Sequence, residues 1–292
     1  IPKSTPFALT AVGTDIDGDT LNYTWEQMDA ALTANPPAAT STAGPMFRSF
    51  SGTASPIRVF PRLQDIVNNV NPTWEELPSV ARTMNFRIVL RDNDWLAGCT
   101  DEDDMVVTVS AASGPFIVTV PNTNIVWNVG TTQTVTWNVA NTTAAPVSCA
   151  NVRISLSTDG GFTYPIVLAA SEPNDGSASI TVPNNLSNTC RVKVEGLGNI
   201  FFDISNANFR IEEPVAPTFF LATSVSDITA CAGINSSFDI NLTTVLGFNT
   251  SATVNISGAP AGASVLVNPN PLVPAGTTAV NISNLTPAMA GV

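Results

Sequence analysis

Asn85-Phe86-Arg87-Ile88-Val89-Leu90-Arg91 places Phe86, Ile88 and Leu90 on one side of an extended chain and Arg87, Val89 and Arg91 on the other. That period of two is the signature of a β-strand with one face against a core. Downstream, Met105-Val106-Val107-Thr108-Val109-Ser110 closes the same module, and upstream Leu21-Asn22-Tyr23-Thr24-Trp25-Glu26 supplies an aromatic strand. The stretch from Ala30 to Ser55, rich in Ala, Thr, Pro and Ser, reads as a long loop decorating the sandwich. A short helical turn is expected around Thr73-Trp74-Glu75-Glu76.

The same alternation continues beyond Ser113. Gly114 to Val120, Thr134 to Trp137, Val152 to Leu156, Ala178 to Val182 and Arg191 to Val194 read as strands, with Trp137 a core residue. Ser157-Thr158-Asp159-Gly160-Gly161 reads as a hairpin or bulge turn, since the glycines accept positive φ at little cost. Glu212-Glu213-Pro214-Val215-Ala216-Pro217 is the best linker, because two prolines break any strand crossing it. After it, Phe219 to Thr223, Ser237 to Asn241, Thr253 to Ser257, Ser264 to Val267 and Thr278 to Ile282 give five further strands, where an immunoglobulin-like sandwich has about seven. A closing strand is expected where the sequence stops, at Ala288 to Val292. It is either cut away with the rest of a longer protein or donated by a neighbouring subunit through β-strand addition.

Composition supports an all-β chain. Only 12% of the 292 residues are charged, so the polar surface comes from Thr, Ser and Asn, which favour strands and turns over helices. The 22 prolines and 18 glycines are spread along the chain, as many short strands require. The fold expected is therefore tandem immunoglobulin-like and fibronectin III-like β-sandwich modules. The boundaries are 1–113, a PKD/cadherin-like sandwich with acidic loops; 114–213, immunoglobulin-like; and 214–292, immunoglobulin-like and incomplete.

Charge and composition also exclude functions. With 23 acidic against 11 basic residues the formal charge is -12, which repels phosphate backbones, so no nucleic-acid partner is expected. No apolar run reaches the length of a membrane span, and the start, Ile1-Pro2-Lys3-Ser4-Thr5, lacks the pattern of a signal peptide, as in a mature or excised chain. The absence of histidine removes His-dependent triads and the HExxH zinc motif, and no catalytic residue is assigned. Cys99, Cys149, Cys190 and Cys231 show no CxxC spacing. Cys149 and Cys190 share a module and each adjoins a strand start, so a disulfide between them is expected, in keeping with an extracellular setting. Cys99 and Cys231 are free, bonded to a cysteine elsewhere, or paired with each other. Most Asn-x-Ser/Thr sequons, such as Asn22, Asn141 and Asn255, are expected from composition alone and become glycosylation sites only where the host has the machinery, and Trp74 and Trp95 are aromatic groups that can stack on sugars or pack inward.

The most informative local motif is Asp15-Ile16-Asp17-Gly18-Asp19, whose carboxylates at alternate positions can converge on a hard cation with oxygen ligands, calcium above all. Glu26 stands at the twelfth position, as in an EF-hand, but Thr20 replaces the required Gly and the next segment reads as a strand, so that motif is rejected. Asp92 and Asp94 follow the Asn85 strand, and Asp101-Glu102-Asp103-Asp104 precedes the Met105 strand. If the two strands are neighbours, these loops share one end of the sandwich with Asp15. The metal set expected is thus Asp15, Asp17, Asp19, Asp92 and Asp94. Plain solvated turns use the same residue types.

Thr5-Pro6-Phe7-Ala8-Leu9-Thr10, Thr14 to Asp19, Tyr23 to Gln27, Phe47-Arg48-Ser49-Phe50, Leu77 to Thr83 and Phe86-Arg87 resemble the non-catalytic part of secreted reprolysin-like zinc metallopeptidases of Bacteroidetes, as do Ser157 to Gly161 and Gly198 to Phe209. The resemblance is specific in the first two modules and looser in the third. It implies a cell-surface or extracellular location, a peptidase domain upstream and a sorting domain of the type IX system downstream, neither of which is in these residues. The expectation is a non-catalytic accessory region that spaces, stabilises or targets a larger secreted protein; the alternative is a protomer of an extracellular filament or adhesin. The partners expected are other domains of the parent chain or neighbouring protomers, with surface glycans or a protein substrate as ligands.

Overall fold

A computed structural model describes residues 1–30, 36–93, 98–225 and 228–289. They belong to two compact units. The first comprises Ile1–Trp127, Thr132–Thr181 and Asn185–Ile211; the second comprises Asn128–Thr131, Val182–Asn184 and the chain from Glu212 on.

The first unit opens with β1 (Phe7–Thr10), β2 (Asn22–Gln27), β3 (Ile57–Phe60), the short helix α1 (Leu63–Val67), β4 (Arg82–Arg91) and β5 (Thr100–Val109). Strands β2, β4 and β5 form one sheet in that order, and β1 with β3 forms a second. The Asn85 to Arg91 stretch lies within β4, with Ile88 opposite Trp25 and Phe86 opposite Gln27. Its alternating face does enter a core: Phe86 and Ile88 are buried with Phe7, Trp25, Phe47 and Phe60, and Leu90 packs at the margin. The rings interlock, Phe7 stacking on Phe60 at 4.9 Å and meeting Phe47 edge-on at 5.8 Å. Such aromatic pairs contribute beyond their buried area.

The irregular stretch before β3 is more than decoration. Met46 and Phe47 are buried, and the Gln27 Oε1 accepts both of their amides at 2.8 and 3.0 Å. Arg82, itself buried, donates to the carbonyls of Ser41 and Gly44. Arg58 donates to the carbonyls of Trp25 and Arg48 and pairs with buried Glu75 at 3.1 Å. A segment without a ladder must satisfy its backbone some other way, and here arginine forks supply the donors. The helical turn expected at Thr73 to Glu76 is instead a turn leading to an isolated bridge between Phe47 and Glu75; the helix is α1.

The rest of the unit is β6 (Ile117–Val120), β7 (Val126–Asn128), β8 (Thr132–Asn138), β9 (Asn151–Ser157), β10 (Ile166–Pro173), β11 (Ser177–Thr181), β12 (Ser187–Gly196), β13 (Phe202–Ile204) and β14 (Phe209–Glu212). One sheet runs β10-β9-β12-β14-β7, with β13 also paired to β12; the other runs β11-β8-β6. Trp137 is buried as expected, its indole N–H donating to Asn174 Oδ1 at 2.9 Å. Asn174 in turn donates to Thr142 Oγ1 and the Cys149 carbonyl, so the buried amide is fully used.

Strand β1 joins the two halves of this unit. Besides pairing with β3, its Phe7 bridges Phe201, Ala8 N–H donates to the Ile200 carbonyl and Phe202 N–H donates to the Pro6 carbonyl. Thr5 Oγ1 further accepts the amide of buried Phe116.

The second unit contains β15 (Thr218–Thr223), β16 (Ser236–Val245), β17 (Ser264–Asn268) and β18 (Gly276–Ser283) in one sheet of order β15-β16-β18-β17. Its core gathers Ile240, Leu242, Ala252, Val254, Leu272 and Val280. Four of the five expected strands are present; Thr253 to Ser257 is not a strand. Opposite it stand Pro269 and Pro271, which have no N–H to give a ladder. The Asn270 side chain substitutes, accepting Val254 N–H at 2.9 Å and donating to Val254 C=O at 2.8 Å.

One half-buried acid tunes this fold to pH. Asp203 on β13 accepts Val118 N–H at 2.7 Å, linking β13 to β6, and loss of water pushes its carboxyl up to about 7. A raised carboxyl binds its proton more tightly in the folded chain, so the stability it confers is complete near pH 4 and is lost as pH rises toward about 7. Asp203→Asn keeps an acceptor for Val118 and removes the charge. Urea midpoints at pH 4, 6 and 8 are expected to show the variant more stable at pH 8, by on the order of a few kcal/mol, with the gap closing toward pH 4. A gap independent of pH would exclude the assignment.

Candidate cation-binding loop

The loop between β1 and β2 folds around one oxygen. Asp15 Oδ1 accepts the backbone amides of Asp17, Gly18 and Asp19 at 3.2, 2.9 and 2.9 Å, which bends the chain into a tight turn. Gly18 sits at φ +89°, a region an L side chain rarely adopts, so glycine is required there. The turn brings one ligand oxygen from each of Asp15, Asp17 and Asp19 within 4.8 Å of one another. Among the described residues these form the one group of three potential ligands. The Asp15 and Asp17 carboxyls touch. Their shared bond, with the backbone amides, lowers Asp15, and the same contact raises Asp17, as two like charges in one place must.

Strand register brings part of the remaining acidic set to the same end. β4 and β5 are antiparallel neighbours with Leu90 opposite Asp101, so Asp15, Asp92 and Asp101 line one open cleft of about 280 Å³. The Asp92 carboxylate caps the Cys99 amide at 2.8 Å. Asp94 and Trp95 lie outside the described residues. The acidic run Asp101 to Asp104 was expected as a loop but is the first half of β5. Glu102 and Asp104 alternate onto one face there and both grip Arg87 at 2.7 Å, which ties the charges into the sheet. Asp101 alone of the four lines the cleft. Glu26 lies in β2 opposite Arg87, four residues along the strand from the Asn22 end, so it belongs to no twelve-residue loop.

The disulfide expected between Cys149 and Cys190 is not formed. Both are buried thiols. Cys149 Sγ packs against Gly196 at the far end of β12, and Cys190 is six residues back along that strand, a separation of about 20 Å. A bridge needs Cα atoms within about 7 Å. Burial raises both thiols, leaving them inert, whereas Cys99 and Cys231 are exposed. Sequence spacing identified the module they share but not their ends of it.

A second polar constellation had no sequence signal. Across the outer face of β9, β12 and β13, Lys193 Nζ meets Glu195 Oε2 at 2.6 Å and Arg153 Nε lies 3.8 Å from Glu195 Oε1. The loop from Ser157 to Thr163 stands beside them, ordered by Asp159. Desolvation pushes that carboxyl up, but Ser157 Oγ, Thr163 Oγ1 and the amides of Thr163 and Phe162 outweigh it and hold it far below the usual carboxylate range. Gly160 and Gly161 both have positive φ, as the turn requires.

No family model matches the chain, and no curated protein matches it. Solved structures with some likeness include Sidekick-1 immunoglobulin domains 1–5, at 10% identity, TM-score 0.24, over 100% of this chain and 54% of that one. The complex of Dpr2 Ig1-Ig2 with DIP-Theta Ig1-Ig3 matches at 13%, TM-score 0.21, over 98% and 86%. Chicken CNTN1 FN1-FN3 domains match at 10%, TM-score 0.21, over 98% and 86%. The chain spans about half the length of the Sidekick-1 chain.

Thiol labelling checks the cysteine assignment. In the native chain a bulky thiol reagent is expected to label Cys231 and to leave Cys149 and Cys190 untouched until denaturant is added, with no reductant needed. A requirement for reductant would restore the bridge.

Proposed function

We propose that this chain is a non-catalytic accessory region of a larger extracellular protein, a run of β-sandwich modules that spaces or targets a partner domain and is stiffened by calcium at the Asp15 loop. The observation that carries it is the convergence of Asp15, Asp17 and Asp19 at one end of a sandwich. Asp15 commits Oδ1 to the turn, leaving its other oxygen and the carboxylates of Asp17 and Asp19 as ligands. Hard carboxylate oxygens in a flexible loop suit calcium, with water completing its shell. The parent protein we propose, from the motifs quoted above, is a secreted zinc metallopeptidase whose catalytic domain lies elsewhere.

A second reading, a protomer of a filament or adhesin, is supported by the second unit. Leu221 pairs with Leu242 and shares its face, yet Leu242 is 3% exposed and Leu221 is 49% exposed. The β15 margin of that core is thinly covered, and a strand from another subunit would cover it.

Calcium at millimolar concentration is expected to raise the melting temperature by about 2–5 °C, an effect absent in Asp17→Ala and Asp19→Ala. An unchanged melting curve in the native chain removes the calcium proposal. The mass and assembly state of the material from its natural source decide between the two readings. A heavier monomeric polypeptide supports the accessory region, and end-to-end assemblies near the mass of this chain support the filament.

A further inference from the structure

The face carrying Arg153, Lys193 and Glu195 is one wall of a cleft of about 580 Å³ within the first unit, a volume typical of small-ligand sites. Ala8 and Thr10 of β1 with Ile57 and Val59 of β3 form an apolar wall, and the Asp159 loop brings Phe162 to the rim. From this arrangement we infer that the cleft binds an acidic sugar, a hexuronate residue of a polysaccharide, with its carboxylate on Arg153 and Lys193 and its pyranose face on Phe162.

Charge selects the anion. Two cations share one carboxylate on this wall of a chain of net charge -12, while the nearby Asp159 carboxylate is taken up by Ser157, Phe162 and Thr163 of its own loop. Arg153 Nε is shielded from solvent with no hydrogen-bond partner, as is the phenol oxygen of Tyr164, which also lines the cleft. The rest of the Arg153 side chain is open, at 43% exposure, so a ligand carboxylate reaches it away from that shielded nitrogen. Lys193 is held in place by aromatic faces, 5.1 Å from the Tyr164 centroid and 5.8 Å from that of Phe202.

Shape selects the sugar. Phe162 is 45% exposed although its amide is fixed to Asp159, so a rigid loop presents a bare ring to solvent. A ring held that way costs little entropy when a flat C–H face stacks on it. An extended acidic peptide would bind instead by adding to a strand edge, and the edge of β1 is already taken: Ala8 N–H is bonded to Ile200, and Phe202 N–H is bonded to Pro6. Only the Thr10 end of that edge is left to the cleft, too short for a ladder.

This site rests on the accessory-region reading, supplying the ligand such a region would target. The test is calorimetric titration of the whole chain with a galacturonate tetrasaccharide, in EDTA so that the Asp15 loop is silent. The neutral galactose tetrasaccharide, free galacturonate and a poly-glutamate peptide serve as comparisons. Expected are binding of the acidic tetrasaccharide, weaker binding of the monomer, none of the neutral chain, and at least tenfold loss in both Arg153→Gln and Phe162→Ala. Phe162 is a rim residue, so that variant keeps the test valid if the arginine variant folds poorly. The proposal is overturned if the acidic tetrasaccharide does not bind, if neither variant weakens it, or if poly-glutamate binds as tightly. Such a failure leaves the accessory reading itself to be judged by the mass of the natural polypeptide.

Discussion

The first unit depends on a four-residue strand bonded along both edges. β1 pairs with β3 on one side and reaches the 200–202 segment on the other, while Phe7 and Leu9 bury themselves beneath it. Register leaves no freedom here, because a one-residue slip would turn Phe7 and Leu9 out to solvent and Ala8 and Thr10 into the core. The same alternation decides what the cleft contains. Ala8 and Thr10 point to it because Phe7 and Leu9 cannot.

Arginine does the structural work that regular ladders do elsewhere in the chain. Arg58, Arg82 and Arg191 are mostly desolvated, and each spends its guanidinium on backbone carbonyls: Trp25 and Arg48, Ser41 and Gly44, Ser205 and Val67 respectively. A planar fork with five donors suits a coil whose carbonyls point in several directions, and lysine could not replace it. Burial raises Glu75 toward its neutral form, and Arg58 beside it opposes the shift. With so many of the 11 basic residues serving inside the fold, the surface is left acidic, and the pair at Arg153 and Lys193 stands out against it.

Many strands of the fold were legible because a sheet with one wet face writes its period into the sequence, though β1, β3 and β10 were not read and Thr253 to Ser257 was read as a strand and is none. Asn85 to Arg91, Thr134 to Trp137 and Arg191 to Val194 all lie in strands. Part of what escaped the reading has no period. Met46 and Phe47 enter the core outside any strand, held by Gln27 and by a single bridge to Glu75 rather than by a ladder. Asp101 to Asp104 looked like a loop because acidic residues are rare in strands, and only the pairing of Arg87 with Glu102 and Asp104 makes that edge tolerable. The convergence of Asp15, Asp17 and Asp19 was legible because alternate spacing in a turn is local, whereas the three amides gathered on Asp15 Oδ1 were not foreseen. The Cys149 and Cys190 expectation failed because sharing a module says nothing about which end of a long strand each thiol adjoins.

The cleft was illegible for the opposite reason. Arg153, Lys193 and Glu195 read as the solvated face of ordinary strands, and they become a site only because a strand far upstream, at residues 7–10, is bonded beside them. Function in tandem sandwiches is expected on the loops at their ends, where variation is tolerated. In this unit the closing of two sandwiches over β1 creates a wall-to-wall position that neither has alone. A site of that kind exists only while both halves are folded together. The interdigitated phenylalanines around Phe7, which fix the register of β1, therefore also fix the spacing on which any ligand in the cleft would depend.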